Sequence, residues 1–234
     1  MPSAMALACQ YHADQRKGGI MFGWLFKKRK KSKEEIEREQ AEAEAFDKAK
    51  QEALERVLGP SDDTVLHSMI PFFLGGSLDL YFFRSCTDGT AVVTQELIVP
   101  EKNGRPKPGK AGYFELVACI PPGTDPHAKG ALDLVEQVLN PVARFASMAS
   151  LNPHETAELP GEDNEPTLPV LFDEFNPKVV PFTVGSETFH LLLVMTITHA
   201  ELAFARANRS AALIEKLKAA GVYPHSIAGR QSVV

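Results

Sequence analysis

The stretch Thr188-Phe-His-Leu-Leu-Leu-Val-Met-Thr196, continued by Ile197 and then by Thr198-His-Ala-Glu201, decides the fold. A run this rich in leucine and other large apolar residues predicts a buried β-strand. The Thr-x-x-Glu spacing behind it predicts a capping box, because the Thr198 hydroxyl and the Glu201 carboxylate can satisfy exposed backbone N–H groups at a helix start. The sequence therefore places a buried strand directly before a helix.

Four other extended segments surround this strand. Each is rich in aromatic or β-branched residues and is bounded by turn residues. They are Leu78–Phe83, Ala91–Val99, Tyr113–Ile120 and Val179–Val184. The Asp88-Gly89 pair predicts an antiparallel hairpin between the first two, and Gly185-Ser186 predicts a second hairpin that ends in Thr188–Thr196.

Three helices accompany the strands. Ala131–Ala149 carries apolar residues at helical spacing, and Asn140-Pro141 predicts a bend or a break within it. The capping box opens a helix over Leu202–Arg206, and another helix spans Ser210–Ala220.

Residues outside these elements complete the predicted domain. The proline-rich, acidic segment 150–169 is predicted to be a loop, and the tail 226–234 is predicted to extend along a sheet edge. Because strands and helices occur in blocks, we predict an α+β domain over residues 61–234. Its sheet is expected to be mixed or antiparallel, with about five or more strands packed against helices.

The chain before residue 61 differs in composition. Residues 34–60 are rich in Glu, Ala, Lys and Gln and end at Gly59-Pro60, which predicts an exposed helical spacer. Residues 1–33 form a basic, aromatic arm that is predicted to be disordered, and Met21 is an alternative start to Met1.

The arm carries a candidate membrane contact. Aromatic rings beside clustered cations suit an anionic lipid surface. The residues concerned are Trp24, Phe26, Lys27, Lys28, Arg29, Lys30 and Lys31. A solvated tail, or contact with nucleic acid or an acidic protein, explains the same cations equally well.

Charge divides the chain into a basic start and an acidic remainder. Residues 1–33 contain eight Lys/Arg and one Asp, whereas the rest contains 17 Lys/Arg and 29 Asp/Glu. An acidic domain disfavours nucleic acid, whose phosphates need clustered Lys/Arg, and favours a cationic partner. No apolar run reaches the roughly 18 residues of a membrane span. Three cysteines without a CxxC pair indicate a reducing, cytoplasmic compartment.

The pattern argues against catalysis. Gly104-Arg-Pro-Lys-Pro-Gly109-Lys110 has the spacing of a phosphate-binding P-loop. However, Ala111 replaces the Ser or Thr that holds Mg²⁺, and a strand follows where a P-loop needs a helix. No HExxH, CxxC or His-x₃₋₅-His spacing predicts a metal site, and no GxSxG predicts a nucleophile. We therefore expect no enzyme activity, no metal and no cofactor.

Two isolated carboxylates are candidate partner-binding residues. Asp79 and Glu115 each sit alone in an otherwise apolar strand, where a charge must face solvent, an ion-pair partner or a ligand. Simple alternation between the two faces of the sheet explains them equally well. With them we place Tyr81, Thr94 and Arg230 near a groove that takes up an extended partner segment, by strand addition or between helix and sheet.

Several segments, taken in order, resemble the Suppressor of fused domain family over roughly residues 62–234. They are Thr64–His67, Leu78–Phe83, Val93–Leu97, Tyr113–Pro121 and Leu191–Leu202. The most specific part is the apolar strand that runs into Ile197-Thr-His-Ala-Glu-Leu-Ala-Phe-Ala-Arg206, followed by a short helix and the tail Ile227-Ala-Gly-Arg230. Ser68 departs from the family pattern, which usually has Glu after the histidine.

The resemblance implies an α+β binding module without catalysis, of the single-domain, bacterial type. The second domain that animal members use to clamp a transcription factor has no counterpart in the sequence, which argues against a Hedgehog-pathway role. Bacterial relatives accompany toxin genes, which implies an immunity protein. Our leading hypothesis is a cytoplasmic immunity or regulatory protein that sequesters a basic partner protein. The alternative is a membrane-peripheral scaffold tethered by the N-terminal arm.

Overall fold

A computed structural model describes residues 32–70, 72–100, 105–161, 166–175 and 182–234. The chain divides into two compact units, Met1–Gln40 and Ala41–Val234. In the first unit, the described residues 32–40 include the start of a helix that begins at Lys33. All further elements belong to the second unit.

The described residues form four helices and eight strands. The helices are α1 (Lys33–Leu58), α2 (Lys129–Ala146), α3 (His199–Asn208) and α4 (Ser210–Ala219). The strands are β1 (Ser61–Leu66), β2 (Leu80–Phe83), β3 (Thr90–Thr94), β4 (Phe114–Ile120), β5 (Thr156–Leu159), β6 (Leu168–Glu174), β7 (Phe182–Val184) and β8 (Glu187–Thr196). A single 3₁₀ turn covers Phe72–Leu74.

All eight strands belong to one mixed sheet. Seven of them follow the order β1-β2-β3-β4-β8-β6-β5, and β7 pairs with β8 beside this path. The contact between β4 and β8 is parallel, whereas the other strand pairs are antiparallel. The α+β prediction is confirmed.

Alternation along β8 shows how the sheet is covered. Leu191, Leu193 and Met195 pack into one core with residues of α3, α4 and the second half of α1. Leu192 and Val194 point the opposite way, into a second core formed with α2. Side chains of successive strand residues leave opposite faces of a sheet, so an uninterrupted apolar run requires cover on both faces.

The structure confirms both predicted hairpins and adds three strands. β2 pairs with β3 and β7 pairs with β8, both antiparallel. β1, β5 and β6 were not predicted. β1 contains four consecutive polar residues at the sheet edge, while β5 lies within the segment predicted to be a loop and β6 contains Pro169. Polar residues and proline weaken a strand pattern, although the neighbouring strands supply the pairing.

Two helices differ from prediction. α2 is one helix with Pro141 inside it, so Asn140-Pro141 does not split the element. The prediction of an exposed spacer is wrong for the second half of α1. Lys50, Ala53, Leu54 and Leu58 are buried there. Residues four apart share a helix face, and this spacing turns Lys50, Leu54 and Leu58 toward the sheet. Gly59 then ends the helix with a φ of 88°.

The C-terminal tail starts between two strands of the sheet instead of following an edge. The Ser226 N–H donates to the Cys119 carbonyl, and the Ser226 hydroxyl accepts the Thr196 N–H. Ser226 thus links the ends of β4 and β8, beyond the region where these two strands pair. The predicted edge position is therefore wrong, because unpaired groups at the ends of β4 and β8 supply a better site.

A buried ion pair fixes the end of this tail. The two terminal guanidinium nitrogens of Arg230 donate to the Glu201 carboxylate at 2.6 Å. The Glu201 side chain also accepts the Thr198 and Val233 N–H groups. The predicted capping box is present. Burial raises the pKa of Glu201, but the hydrogen bonds from Arg230 and the two backbone amides outweigh it and lower the pKa below 4.5.

Leu54 tests whether the second half of α1 belongs to the folded core. We expect Leu54→Ala to lower the free energy of unfolding by about 2–5 kcal/mol, because the side chain is fully buried. Glu52→Ala, at an exposed position of the same helix, should change it by less than about 0.5 kcal/mol. Urea unfolding of both variants measures this, and equal stabilities would contradict the placement of the helix.

Glu201 should make the fold sensitive to acid. Because its folded pKa lies below the ordinary 4.5, its contribution to stability is present above that pH and is lost as the pH falls through the folded value. Glu201→Gln should remove this pH-dependent contribution and should cost about 3–5 kcal/mol at neutral pH by leaving Arg230 without its carboxylate. Urea unfolding across the acidic range tests both effects. Glu215→Gln, on an exposed face of α4, should retain the wild-type profile.

Candidate functional site

A buried ion pair joins α1 to the centre of the sheet. The Lys50 ammonium lies 3.8 Å from a Glu115 carboxylate oxygen, and the exposed fractions of the two side chains are 1% and 0%. Glu115 belongs to β4, on the face that α1 covers. The Thr94 hydroxyl donates to Glu115 at 2.6 Å and accepts the Leu116 N–H. These residues form a buried cluster next to the candidate site.

The same pair holds segment 95–98, which leaves the sheet at the end of β3. The Ile98 N–H donates to Glu115 at 2.9 Å and the Leu97 N–H does so at 3.3 Å. Lys50 donates to the carbonyl oxygens of Gln95 and Ile98. Buried backbone groups outside a ladder need such partners. Lys50 and Glu115 therefore fix the backbone that carries Gln95 and Glu96.

Burial is the largest effect on the pKa of Glu115. Removal from water raises the pKa of this carboxyl, and the lowering effects of Lys50, Thr94 and the two backbone amides do not fully offset it. The ion pair is therefore a component of the interior with a large desolvation cost.

An open cleft is lined in part by the segment that this buried cluster holds. Its volume is about 400 Å³, and α1, the start of β2 and the segment after β3 supply its walls. The lining residues are Asp47, Lys48, Gln51, Asp79, Tyr81, Gln95 and Glu96. We call this site the acidic cleft, because three carboxylates and one lysine carry its charge.

Two of the three carboxylates are held in place by neighbouring backbone. Asp79 accepts the Ser68 N–H at 2.9 Å and lies 2.7 Å from His67 Nδ1. Glu96 accepts the Asp79 N–H at 2.8 Å and the Phe72 N–H at 3.4 Å. These neutral N–H donors do not cancel the charges of Asp79 and Glu96, whereas the third carboxylate, Asp47, lies 3.4 Å from the Lys50 ammonium.

The pKa of Tyr81 reflects the negative charge of the cleft. Burial raises the pKa of its hydroxyl, and the charges of Asp79, Asp47, Glu96 and Glu115 raise it further. The phenol therefore stays protonated and can donate a hydrogen bond from the wall of the cleft.

The five predicted partner-binding residues occupy three different places. Asp79 and Tyr81 line the acidic cleft. Thr94 and Glu115 are fully buried, do not line the cleft, and hydrogen-bond to each other and to the neighbouring backbone. Arg230 pairs with Glu201 at the tail and does not line the cleft.

Sequence reasoning missed most of the cleft. Asp47 and Gln51 lie on the helix that was predicted to be a spacer, and Gln95 and Glu96 lie in what was predicted to be the continuation of a strand. A signal for the helix was present, because Lys50 stands between Phe46 and Leu54 at intervals of four residues. A lysine within such an apolar stripe indicates a buried partner of opposite charge.

The segment with P-loop spacing has a structural role where it is described. Arg105 is buried and donates to the Val99 carbonyl at 2.6 Å and to Glu187. Its guanidinium also lies between the rings of Tyr113 and Phe189, at 5.2 and 5.1 Å. β4, and not a helix, follows the segment. Arg105 thus packs against the β7–β8 hairpin.

Among the described residues, no three His, Cys, Asp or Glu side chains come together in a way that could hold a metal ion. None of the described helices combines the length and apolarity needed to span a bilayer. The predicted membrane contacts from Trp24 to Lys31 and the acidic residues Glu162, Asp163 and Glu165 lie outside the described residues.

Comparison with known proteins identifies the fold. No family model and no curated protein sequence matches this chain. A chain in a crystal structure described as the Sufu–Fu complex superposes with a TM-score of 0.56 at 11% identity, covering 80% of this chain and 92% of that one. Drosophila Suppressor of Fused superposes with a TM-score of 0.52 at 12% identity, covering 82% of this chain and 51% of that one.

The structure therefore has a Suppressor of fused-like fold, as the sequence resemblance implied. This chain matches about half the length of the Drosophila protein. At these identities, the similarity concerns the fold.

A double-mutant cycle tests the Lys50–Glu115 ion pair. We expect Lys50→Met to cost about 3–5 kcal/mol, because it leaves Glu115 buried without its cation, and Glu115→Gln to be similarly costly. The double variant should lose less than the sum of the two, by about 1–3 kcal/mol, because the two residues interact directly. Urea unfolding of the four proteins measures this coupling. Additive losses would show that the two side chains act independently.

Proposed function

We propose that this chain is a non-catalytic protein-binding module that holds a basic segment of a partner protein in the acidic cleft. The observation that carries the proposal is the geometry of the cleft, in which Asp47, Asp79 and Glu96 face one open volume of about 400 Å³. A lysine or arginine side chain fits a site of this charge, because carboxylates at fixed positions attract it and orient it.

The rigidity of the cleft supports binding. Asp79 and Glu96 are positioned by backbone amides, and the Lys50–Glu115 pair fixes the segment that carries Glu96. Side chains that are already ordered lose little conformational entropy when a partner arrives. The walls also offer the Tyr81 hydroxyl as a hydrogen-bond donor, while Gln95 donates to Gln51 and these two side chains hold each other in place.

The structural neighbours support a protein partner. One of them is described as a complex of Sufu with Fu, so this fold occurs in a protein–protein complex. A fold supports many functions, and the cleft of this chain is therefore the stronger argument.

The biological setting that we propose is sequestration of a basic protein in the cytoplasm. Residues 34–234 contain 17 Lys/Arg and 29 Asp/Glu, so the long-range field of this region attracts a cationic protein and the acidic cleft supplies a local contact. An immunity protein that neutralises a basic toxin would use this charge, and so would a regulator of a basic protein.

A defined peptide tests the cleft. The full chain is titrated into a short fluorescein-labelled peptide in which lysines alternate with glycine and serine, and fluorescence anisotropy is recorded. We expect Asp47→Asn to weaken binding and Asp47→Lys to weaken it by about tenfold or more, because one wall then repels the peptide. Added salt should weaken binding by the wild type.

The matched control is Glu52→Lys. It makes the same change in net charge at an exposed position of α1 that does not line the cleft. Equal losses for Glu52→Lys and Asp47→Lys would assign binding to net charge and contradict a role for the cleft. A peptide with glutamate in place of lysine should not bind.

A further inference from the structure

The loop between β1 and β2 exposes apolar side chains beside the acidic cleft. The exposed fractions of Met69, Ile70 and Leu74 are 100%, 56% and 68%. They are three of the five large hydrophobic residues that are exposed in the described part of the chain. Single exposed apolar residues are ordinary, but three within six positions of one loop concentrate apolar surface in one place, and such concentrations mark interaction surfaces. We call these residues the apolar shoulder.

The fold holds the shoulder in a defined shape. Arg144 of α2 donates to the carbonyls of Gly75 and Gly76 at 3.0 and 2.7 Å, and its guanidinium lies 5.1 Å from the centre of the Phe72 ring. A Cβ at Gly76 would lie 1.6 Å from the Ile70 carbonyl oxygen, so the two arms of the loop approach closely. Contacts on the inner side of the loop therefore hold the apolar shoulder at the surface.

The shoulder and the cleft share the residues that shape them. Asp79, a wall of the cleft, accepts the Ser68 N–H directly before Met69. Glu96, another wall, accepts the Phe72 N–H in the middle of the loop. A ligand that places a cation in the cleft therefore has apolar surface next to it.

We propose that the apolar shoulder and the acidic cleft form one continuous docking surface for a partner segment in which large apolar side chains flank a lysine or arginine. The proposal rests on the proposed function and specifies the chemistry of the partner. Affinity comes from apolar side chains that cover Met69, Ile70 and Leu74, and register comes from the cation in the cleft.

Charge distinguishes this partner from a lipid surface. Exposed apolar residues that insert into an anionic leaflet need cations around them. Here one cation, Arg144, donates to carbonyls of the loop, whereas Asp79 and Glu96 supply the adjoining negative charges, which an anionic surface repels. The same charges attract a basic segment of a protein, so complementarity favours the protein partner.

Two labelled peptides and two variants test the shoulder. Both peptides carry the same lysines, separated by glycine and serine in the first and by leucine and phenylalanine in the second. We expect the wild type to bind the second about tenfold more tightly, because burial of apolar area adds to the charge interaction. Met69→Ser/Leu74→Ser should remove this difference and leave binding of the first peptide unchanged. Val234→Ser, which removes an exposed apolar residue at the C-terminus, should preserve it.

Each result has a defined meaning. Equal binding of the two peptides by the wild type, or an unchanged preference in the double variant, overturns the shoulder while the cleft retains its proposed function. Failure of both peptides to bind contradicts the proposed function as well. If the wild type binds phosphatidylserine vesicles and the double variant does not, the shoulder contacts lipid and the proposal is overturned. If light scattering shows that the wild type self-associates and the double variant does not, the shoulder contacts a second copy of this chain, which also overturns the proposal.

Discussion

Segment 95–98 leaves the ladder at the end of β3 while still buried, and Lys50 and Glu115 supply the partners that its backbone then lacks. Glu115 accepts the N–H groups of Leu97 and Ile98, and Lys50 donates to the carbonyls of Gln95 and Ile98. One side chain comes from a helix and the other from a central strand. The position of α1 on the sheet and the shape of the cleft therefore depend on the same two charges.

The fold contains a second buried pair with a different electrostatic balance. In Glu201, burial is outweighed by two parallel hydrogen bonds from Arg230 and by two backbone amides, so the pKa falls. In Glu115, burial prevails and the pKa rises, because the Lys50 charge lies 3.8 Å away and forms no comparable fork. A guanidinium can match both oxygens of a carboxylate, whereas an ammonium acts as a point charge. The Glu201–Arg230 pair fixes the C-terminal tail, and the Glu115–Lys50 pair holds the backbone segment beside the acidic cleft.

The sequence was sufficient wherever the local pattern determines the outcome. The Asp88-Gly89 turn, the apolar run of β8 and the Thr198–Glu201 capping box each act over a few residues, and each prediction is confirmed. The buried half of α1 was missed because its polar positions dominate the composition and only Lys50, Leu54 and Leu58 face the sheet. The acidic cleft was only partly predictable. Asp79 is conspicuous within an apolar strand, but Asp47 and Glu96 approach it only after α1 packs and β3 ends.

The carboxylates of the cleft combine two tasks that often conflict. Asp79 and Glu96 hold the β1–β2 loop through hydrogen bonds from backbone N–H groups, which stabilises the fold. Each of these bonds occupies part of a carboxylate without neutralising it, since the donors carry no net charge. The negative potential that would attract a cation therefore persists after the loop has been fixed. If a lysine or arginine side chain replaced these backbone donors, it would form an ion pair and cancel the carboxylate charge. The amide donors leave that charge available to a ligand.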